Sequence, residues 1–440
     1  MKRETLKTVF LTVLVFLSVA LTWNILFFQT DYKKVQGPGE SIENIAIAES
    51  RELADVVQPY LAVYHLDDQI YGQPNSESVA KVYSLMLAGK YSNVFPLGGQ
   101  GSLPEKHNNN SYEIIFSAPL TIDTLTQLFQ FNRKELTVKK NVLIDRVEVY
   151  KPFGENRVIA VFKTPNGSPA FYATVSSLDL NDLKSTMPDK KLVPYFKQRL
   201  KDKVVFLPDQ DQDIPSILSY YDTINFEDFK QILFPNPENA FYNNGTYQDS
   251  SHKMEKNANV LQYVNATINN ITPAGGQDPI LHSFDYINSH KGWTDSFIYD
   301  GLSQSPSAMK DEVNFRLKLG DYSVYSLKYS ILYLPSINLV WKNGELRNLN
   351  RTLLNFNKIG EKDHNRILSG SKVLDRLNQK ASLTARTIED LRIGYRLRPV
   401  DESIPSINLV PEWFYKQGGK WHSVADELAP KKPIEGEKQP

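Results

Sequence analysis

Cysteine is absent from this 440-residue chain. Its absence excludes disulfides, thiolate metal ligands, a cysteine nucleophile and lipid attachment through cysteine. Large secreted eukaryotic proteins usually carry disulfides, so the absence of cysteine in an exported chain favours a bacterial origin. An excess of charge of either sign is absent too, because Lys plus Arg and Asp plus Glu each total 50. Nucleic-acid-binding domains are usually basic, so we expect no nucleic-acid partner.

Signatures of catalysis and of metal binding are also lacking. The seven histidines never show the one-turn spacing of a zinc protease, although His282 and His290 lie two turns apart on one predicted helix. The run Asp209–Asp213 resembles the start of a calcium loop, but Ile214 stands where that loop needs glycine. Residues 301–305 lack the second glycine of a nucleophile elbow. We therefore predict no catalytic residue, no metal and no cofactor, while a glycosidase-like carboxylate pair stays open because sequence alone does not bring two acids together.

One long apolar run is present near the N-terminus. Val9–Phe28 contains no charged residue, and at 1.5 Å per residue it spans about 30 Å, the thickness of a bilayer core. Basic residues precede this run, so the positive-inside rule places the N-terminus in the cytoplasm and the rest of the chain outside. The alternative is a cleaved signal peptide, for which Ser18-Val19-Ala20 supplies small residues. Because bulky apolar residues continue to Phe28, we predict a single-pass membrane protein that contacts the lipid bilayer through residues 9–28.

Polar residues within this predicted helix are candidate partner contacts. Ser18 and Thr22 are four residues apart and share one helix face, where small hydroxylated side chains allow close approach of another helix. Asn24 lies near the outer interface. The alternative is that these hydroxyls bond back to carbonyl groups of their own helix. We name Ser18, Thr22 and Asn24 as the candidate transmembrane partner-binding residues.

The whole chain is 41% hydrophobic and 11% aromatic, which is the composition of a folded protein. The mixture of patterns after the apolar run predicts an α+β fold of antiparallel sheets with packed helices. The chain is long enough for several domains. The predicted divisions are a cytoplasmic N-terminus (1–8), the transmembrane helix (9–28), a linker (29–41), an N-terminal α+β domain (42–200), a central α+β domain (201–345), a C-terminal α+β domain (346–428) and a disordered tail (429–440).

Several local patterns predict individual elements of this body. Helical spacing predicts a helix from Ser76 to Gly89 and another over 280–290. The turn Pro165–Ser168 predicts a hairpin, and residues 257–264 read as one strand. The sequence Pro-Ser-Ile-Asn-Leu-Val occurs twice, from Pro335 and from Pro405. This echo favours two related strand–strand–helix–strand–strand units, with a chance match as the alternative.

The chain resembles the YycH family, whose members are accessory proteins of the WalK/WalR (YycG/YycF) cell-wall two-component system of low-GC Gram-positive bacteria. The resemblance covers essentially the whole chain. It rests on the order of the segments along the chain and on several loose sequence matches. These are the basic start with its apolar helix, SRELADVVQPYLAVYH from Ser50, FSAPLTIDTL from Phe116, and the C-terminal segments VLDRLNQ, IEDLRIGYRL and INLVPEWFYKQGGKW.

The resemblance implies a transmembrane helix, an extracytoplasmic body whose C-terminal domain (346–428) is similar to that of the sister protein YycI, and no enzymatic activity. It further implies that the helix, together with that of YycI, contacts the transmembrane segments of the sensor histidine kinase WalK and tunes its activity. The sign of this tuning differs between species, and we take inhibition as the default. The competing hypothesis is a membrane-tethered exported module that binds wall polymer, or a wall-active enzyme.

Overall fold

The computed structural model describes residue 7 and residues 46–97, 102–107, 110–132, 135–187, 192–267, 277–327, 333–401 and 404–429. The chain divides into two compact units, residues 1–44 and 45–440. Of the first unit only Lys7 is described, and it is helical and exposed. The predicted transmembrane helix (9–28) and linker (29–41) lie outside the described residues, as does the tail from 430. Within the described ranges, no helix is long and apolar enough to cross a membrane.

The described strands of the second unit form two sheets, and the first sheet uses the strands up to residue 208. Its order is β10-β9-β2-β1-β4-β6-β7-β8-β3-β5, and its neighbours are antiparallel except for β3 and β5. The strands are β1 (Pro59–Leu66), β2 (Gln69–Gln73), β3 (Lys90–Pro96), β4 (Ser111–Leu120), β5 (Gln130–Phe131), β6 (Ile144–Tyr150), β7 (Val158–Lys163), β8 (Pro169–Ser176), β9 (Val193–Arg199) and β10 (Val204–Pro208). The predicted hairpin is confirmed, because β7 and β8 pair across the Pro165–Ser168 turn.

Four helices accompany the first sheet. They are α1 (Leu53–Val56), α2 (Ser76–Ala88), α3 (Ile122–Leu128) and α4 (Leu180–Ser185). The predicted helix from Ser76 is confirmed, and it begins there because the side chain of Asn75 accepts a hydrogen bond from the backbone N–H of Ser78. Its buried residues recur at helical spacing and pack on one face of the sheet, which leaves the other sheet face to a separate set of side chains.

The second sheet contains the remaining strands. Its main order is β12-β13-β14-β15-β20-β19-β17-β18-β22-β23-β11-β21, with β16 on β17 and β24 on β23. The strands are β11 (Gln212–Thr223), β12 (Phe241–Asn243), β13 (Thr246–Gln248), β14 (His252–Asn257), β15 (Val260–Asn265), β16 (Phe297–Ser305), β17 (Lys310–Leu319), β18 (Tyr322–Tyr325), β19 (Ser336–Lys342), β20 (Glu345–Thr352), β21 (Leu354–Ile367), β22 (Asp390–Asp401), β23 (Ile404–Gln417) and β24 (Lys420–Ser423). The α+β class of the body is therefore confirmed.

Helices also accompany the second sheet. They are α5 (Asp228–Leu233), α6 (Pro279–Ser289), α7 (Gly370–Asn378) and α8 (Val424–Leu428). The helix predicted over 280–290 is confirmed as α6, and Asp278 caps it by accepting hydrogen bonds from the backbone N–H groups of Ile280 and Leu281. The same carboxylate accepts from Thr124 of α3 at 3.0 Å. This contact joins the N-terminal ends of two helices that belong to different sheets.

Two sequence patterns have a different outcome in the second sheet. The strand predicted over 257–264 is confirmed as β15 (Val260–Asn265), but its predicted start is wrong, because Ala258 adopts a positive φ of 51° and the chain turns there from β14 into β15. Both copies of the six-residue echo lie in central strands, β19 and β23, with antiparallel neighbours on each side. The neighbours are not equivalent. β19 pairs with β20, which follows it directly, whereas β23 pairs with β11, which lies far upstream in the range 201–345.

Candidate functional site

The residues predicted to contact a partner, Ser18, Thr22 and Asn24, lie outside the described residues, so this site stays a prediction. The described body begins at Ala46, and the point where the chain enters it can be characterised. We call residues 46–51 the entry segment, and residues 288–295, which comprise the end of α6 and the turn after it, the Trp293 loop. The chain passes from the entry segment into α1 and then into β1 of the first sheet, whereas the Trp293 loop leads into β16 of the second sheet.

The entry segment is bound to the Trp293 loop by main-chain contacts. Two of its backbone N–H groups donate to carbonyl oxygens of the loop, at 2.7 and 3.3 Å, and Glu49 forms an antiparallel bridge with Trp293. The side-chain oxygen of Asn288 accepts from the backbone N–H of Arg51 at 2.8 Å and from Nε1 of Trp293 at 3.1 Å. Trp293 itself is buried. The entry segment is therefore fastened to the Trp293 loop by main-chain and side-chain hydrogen bonds.

A buried carboxyl group lies at the end of the Trp293 loop. Both oxygens of Asp295 accept from the backbone N–H of Phe356, at 3.1 and 3.2 Å. Burial raises the pKa of Asp295 to about 7, although the Phe356 hydrogen bond and the charges of Arg51 and Arg351 act in the opposite direction. Arg351 is also buried, and its guanidinium donates to the carbonyl oxygen of Gly292 at 3.2 Å. The entry segment thus lies against a loop whose buried acid changes charge near neutral pH.

The two histidines predicted on α6 are used in packing. Burial, followed by the charge of Arg351, lowers the pKa of His290 to about 3. Its ring meets Tyr286 edge-on at 5.4 Å between centroids. His282 instead stacks on Trp341 at 3.8 Å, and burial lowers its pKa as well. Both rings are therefore neutral at pH 7 and lie against aromatic side chains.

A second cluster of titratable side chains lies on the first sheet, on the face opposite α2. His65, Glu113 and Glu148 come from β1, β4 and β6, and one potential ligand atom of each lies within 4.8 Å of the others. Glu113 and Glu148 are direct cross-strand partners. Two like charges in that position would repel each other, so the cluster requires compensating positive charge. Sequence analysis missed it because these residues are far apart in the chain.

Lysines supply that positive charge. The ammonium of Lys163 lies 2.6 Å from one oxygen of Glu148 and 3.4 Å from one of Glu113, and Lys106 also bonds to Glu148. Burial alone would raise the pKa of Glu113, but Lys163 and then His65 hold it far below its usual range. A divalent cation here would join the ammonium groups of Lys163 and Lys106, so three cationic groups would surround two carboxylates. The donor set therefore fits an internal ion network better than it fits a metal centre.

A third buried network joins the two sheets. The guanidinium of Arg392, in β22, donates to the backbone carbonyl of Ser117, in β4, and to the carboxylate of Asp390. The ammonium of Lys203, just before β10, donates to the same carboxylate at 2.8 Å. Arg392 and Lys203 hold the pKa of Asp390 far below its usual range against the effect of burial. These charges are buried and paired, so removing one partner would leave another uncompensated.

The run that resembles a calcium loop has a structural use. Asp211 accepts from Lys372 and Arg366, at 2.9 and 2.7 Å, and from the backbone N–H of Ser369 at 2.9 Å. These hydrogen bonds hold the pKa of Asp211 well below its usual range. Residues 301–305 lie in β16, so they form no strand-to-helix elbow. Asp211 thus pairs with cationic side chains and, through Ser369 and Lys372, fastens the start of α7.

Comparisons with known proteins match this chain to the same family along nearly its whole length. Residues 4–192 match the family described as "YycH protein, N-terminal domain", and residues 202–432 match "YycH protein, C-terminal domain". A curated relative from Bacillus subtilis (strain 168), named "Two-component system WalR/WalK regulatory protein YycH", is 22% identical over 97% of this chain and 98% of its own. The fold matches "Crystal Structure of YycH from Bacillus subtilis" with a TM-score of 0.69 and 16% identity, covering 87% of this chain and 99% of that one.

Proposed function

We propose, from the premise that this chain belongs to the YycH family, that it is a regulatory protein of a WalR/WalK two-component system. The observation that carries the proposal is the alignment with the Bacillus subtilis relative, which bears that name and matches 97% of this chain. The alignment also covers 98% of the relative, so both family domains have counterparts here. The sensor histidine kinase WalK is then the target whose activity this protein changes.

The finer proposal concerns the route of regulation. Residues 9–28 form a transmembrane helix that places the body on the outer side of the membrane, and Ser18, Thr22 and Asn24 face the transmembrane segments of WalK and of a YycI-like partner. If the transmembrane bundle of the kinase has two packing arrangements, an added helix raises the population of the arrangement that it binds more tightly. Inhibition of autophosphorylation is the sign that we expect. The entry segment supports this route, because it connects residue 45 to a loop with several hydrogen bonds.

The same proposal assigns no enzymatic activity to the chain. Support comes from two of the described clusters of titratable groups, in which the charges of the carboxylates are neutralised by neighbouring cations. Glu113 and Glu148 bind lysine, and Asp390 binds Lys203 and Arg392. A carboxylate held in an ion pair at low pKa is a poor general base, because it has little affinity for a proton. These acids therefore act in folding.

The test is reconstitution of WalK in membranes with and without the full-length chain. We expect the chain to lower autophosphorylation, and the double variant Ser18→Leu/Thr22→Leu to restore the rate of the kinase alone. Ala20→Leu is the matched control, because successive residues turn by about 100° and position 20 lies on the opposite helix face. Equal autophosphorylation with and without the chain would contradict the regulatory proposal. An effect that is unchanged in the double variant would contradict the assigned face.

A further inference from the structure

A cavity of about 50 Å³ lies between the two sheets. We call it the inter-sheet cavity. Its walls come from β1, β9 and β10 of the first sheet and from β16, β17, β18, β22 and β23 of the second. The volume exceeds the share of about 30 Å³ that one water molecule occupies in the liquid, so the cavity can take a small organic group.

The inter-sheet cavity contains a buried lysine whose ammonium makes no direct ion pair with a carboxylate of the described residues. The side chain of Lys318 lines it, is 6% exposed, and donates to the neutral side-chain oxygen of Gln58 at 3.2 Å. In the described part of the chain, no carboxylate oxygen lies within 4.0 Å of this ammonium. Asp321 lines the cavity too, but its oxygens accept from the backbone N–H of Ser76 at 2.8 Å and from the amide of Asn75 at 3.4 Å. Asp321 therefore attracts the ammonium without a direct ion pair, and burial lowers the pKa of Lys318. An anion in contact with Lys318 would stabilise its charged form.

Aromatic side chains form much of the remaining wall, and glycines hold two of them in place. A Cβ atom on Gly72 would lie 2.5 Å from the ring of Tyr195, and one on Gly394 would lie 2.5 Å from the ring of Tyr325. Both rings can occupy the cavity wall only because these positions carry no side chain. Each sheet therefore contributes one glycine that leaves room for a tyrosine ring of the cavity wall.

Two further polar groups of the wall have unused hydrogen-bonding capacity. The hydroxyl of Tyr325 and Nε of Arg392 are buried, and neither has a hydrogen-bond partner among the described residues. Both residues line the cavity together with Lys318. Apolar side chains, among them Leu61, Phe206 and Ile298, complete it. Positive charge and donors beside apolar walls match a carboxylate that carries a small hydrocarbon group.

We propose that the inter-sheet cavity binds a small organic carboxylate, with the ammonium of Lys318 as its counter-charge. The hydroxyl of Tyr325 donates a second hydrogen bond, and the apolar walls contact the hydrocarbon part. Such a ligand touches both sheets at once, next to the Arg392 network that joins them. The proposal goes beyond regulation of the kinase and does not rest on it, since binding can be measured without WalK.

The test is thermal unfolding of the full-length protein in detergent, titrated with sodium acetate or with acetamide at constant ionic strength set by sodium chloride. Acetamide has the shape of acetate without its charge. We expect acetate to raise Tm saturably, by about 2 °C at tenfold excess over Kd, and acetamide to have no effect. The variants Lys318→Met and Lys318→Gln should lose the acetate response, and Lys318→Gln still has an amide to donate to Gln58. The matched control Lys81→Met, at an exposed position on α2, should keep the response.

The outcomes separate binding at the cavity from a general salt effect. A response to acetate in the wild type and Lys81→Met, lost in both Lys318 variants, supports the proposal. An equal response to acetamide, or none to acetate, overturns it. So does an acetate response that persists in folded Lys318→Gln. Lys318→Met should itself keep or raise Tm without ligand, because it removes a buried charge that makes no direct ion pair within the described ranges. If Lys318→Met alone fails to fold, Lys318→Gln decides the question.

Discussion

Asp295 gives the sharpest test of the electrostatics at the point where the chain enters the body. Its carboxyl group is buried, and burial raises its pKa to about 7 from the usual 3.8. Between these two pH values the folded protein keeps the proton while the unfolded chain releases it. The free energy of unfolding should therefore fall as pH rises from about 4 to about 7, and change no further above that. At 1.36 kcal/mol per pH unit, this group alone accounts for about 4 kcal/mol.

The assay is urea denaturation of the wild type and of Asp295→Asn between pH 4 and pH 9. Asparagine keeps an oxygen that can accept from the backbone N–H of Phe356, but it does not titrate. Subtracting the two stabilities at each pH cancels the other titrating groups. We expect the wild type to lose about 4 kcal/mol relative to the variant between pH 4 and pH 8. The control Asp285→Asn, at an exposed position of α6, should change the free energy of unfolding by no more than about 0.5 kcal/mol.

One result would refute the reasoning. If the difference between wild type and Asp295→Asn does not change with pH, the carboxyl group titrates equally in the folded and unfolded chains. Burial would then not control its charge. If the wild type instead gains stability relative to Asp295→Asn as pH rises, the charges of Arg51 and Arg351 outweigh burial.

Two further predictions concern packing and ion pairing. Replacing Lys163 by Met leaves Glu113 and Glu148 opposed without the ammonium between them. It should lower the free energy of unfolding by about 3–5 kcal/mol in urea denaturation at pH 7, and a loss below about 1 kcal/mol would contradict the assigned pairing. Gly394→Ala should cost about 1–3 kcal/mol in the same assay, because its Cβ would lie 2.5 Å from a tyrosine ring. Gly301→Ala, where no atom lies within 4 Å of the added Cβ, is the matched control and should cost less.

Sequence reasoning succeeded where the signal is local. The helix α2 follows from the spacing of its apolar residues and its polar start, and the β7–β8 hairpin follows from its turn. It failed at Ala258, where the chain turns without a glycine. Alanine rarely adopts a positive φ, so the residues at this position do not indicate a turn between β14 and β15.

The titratable clusters could not be predicted in the same way. His65, Glu113 and Glu148 each occur in ordinary strand sequences, and only the antiparallel order β1-β4-β6 places them on one face. Lys318 and Arg392 likewise meet at one cavity because β17 and β22 both pair with β18, and residues of the first sheet form the opposite wall. Side-chain type predicts what a residue can do, but strand order decides which residue it meets.

The sequence by itself determined the family, the α+β class and the identity of the local elements, because each depends on residue order or on short-range spacing. It also carries the anchoring hypothesis for residues 9–28, which rests on length and charge alone. The tertiary structure decided that β11 joins β21 and β23, that the entry segment binds the Trp293 loop, and that the buried ammonium of Lys318 donates to Gln58. These are contacts between distant parts of the chain, and they form because separate apolar and polar surfaces are buried together on folding.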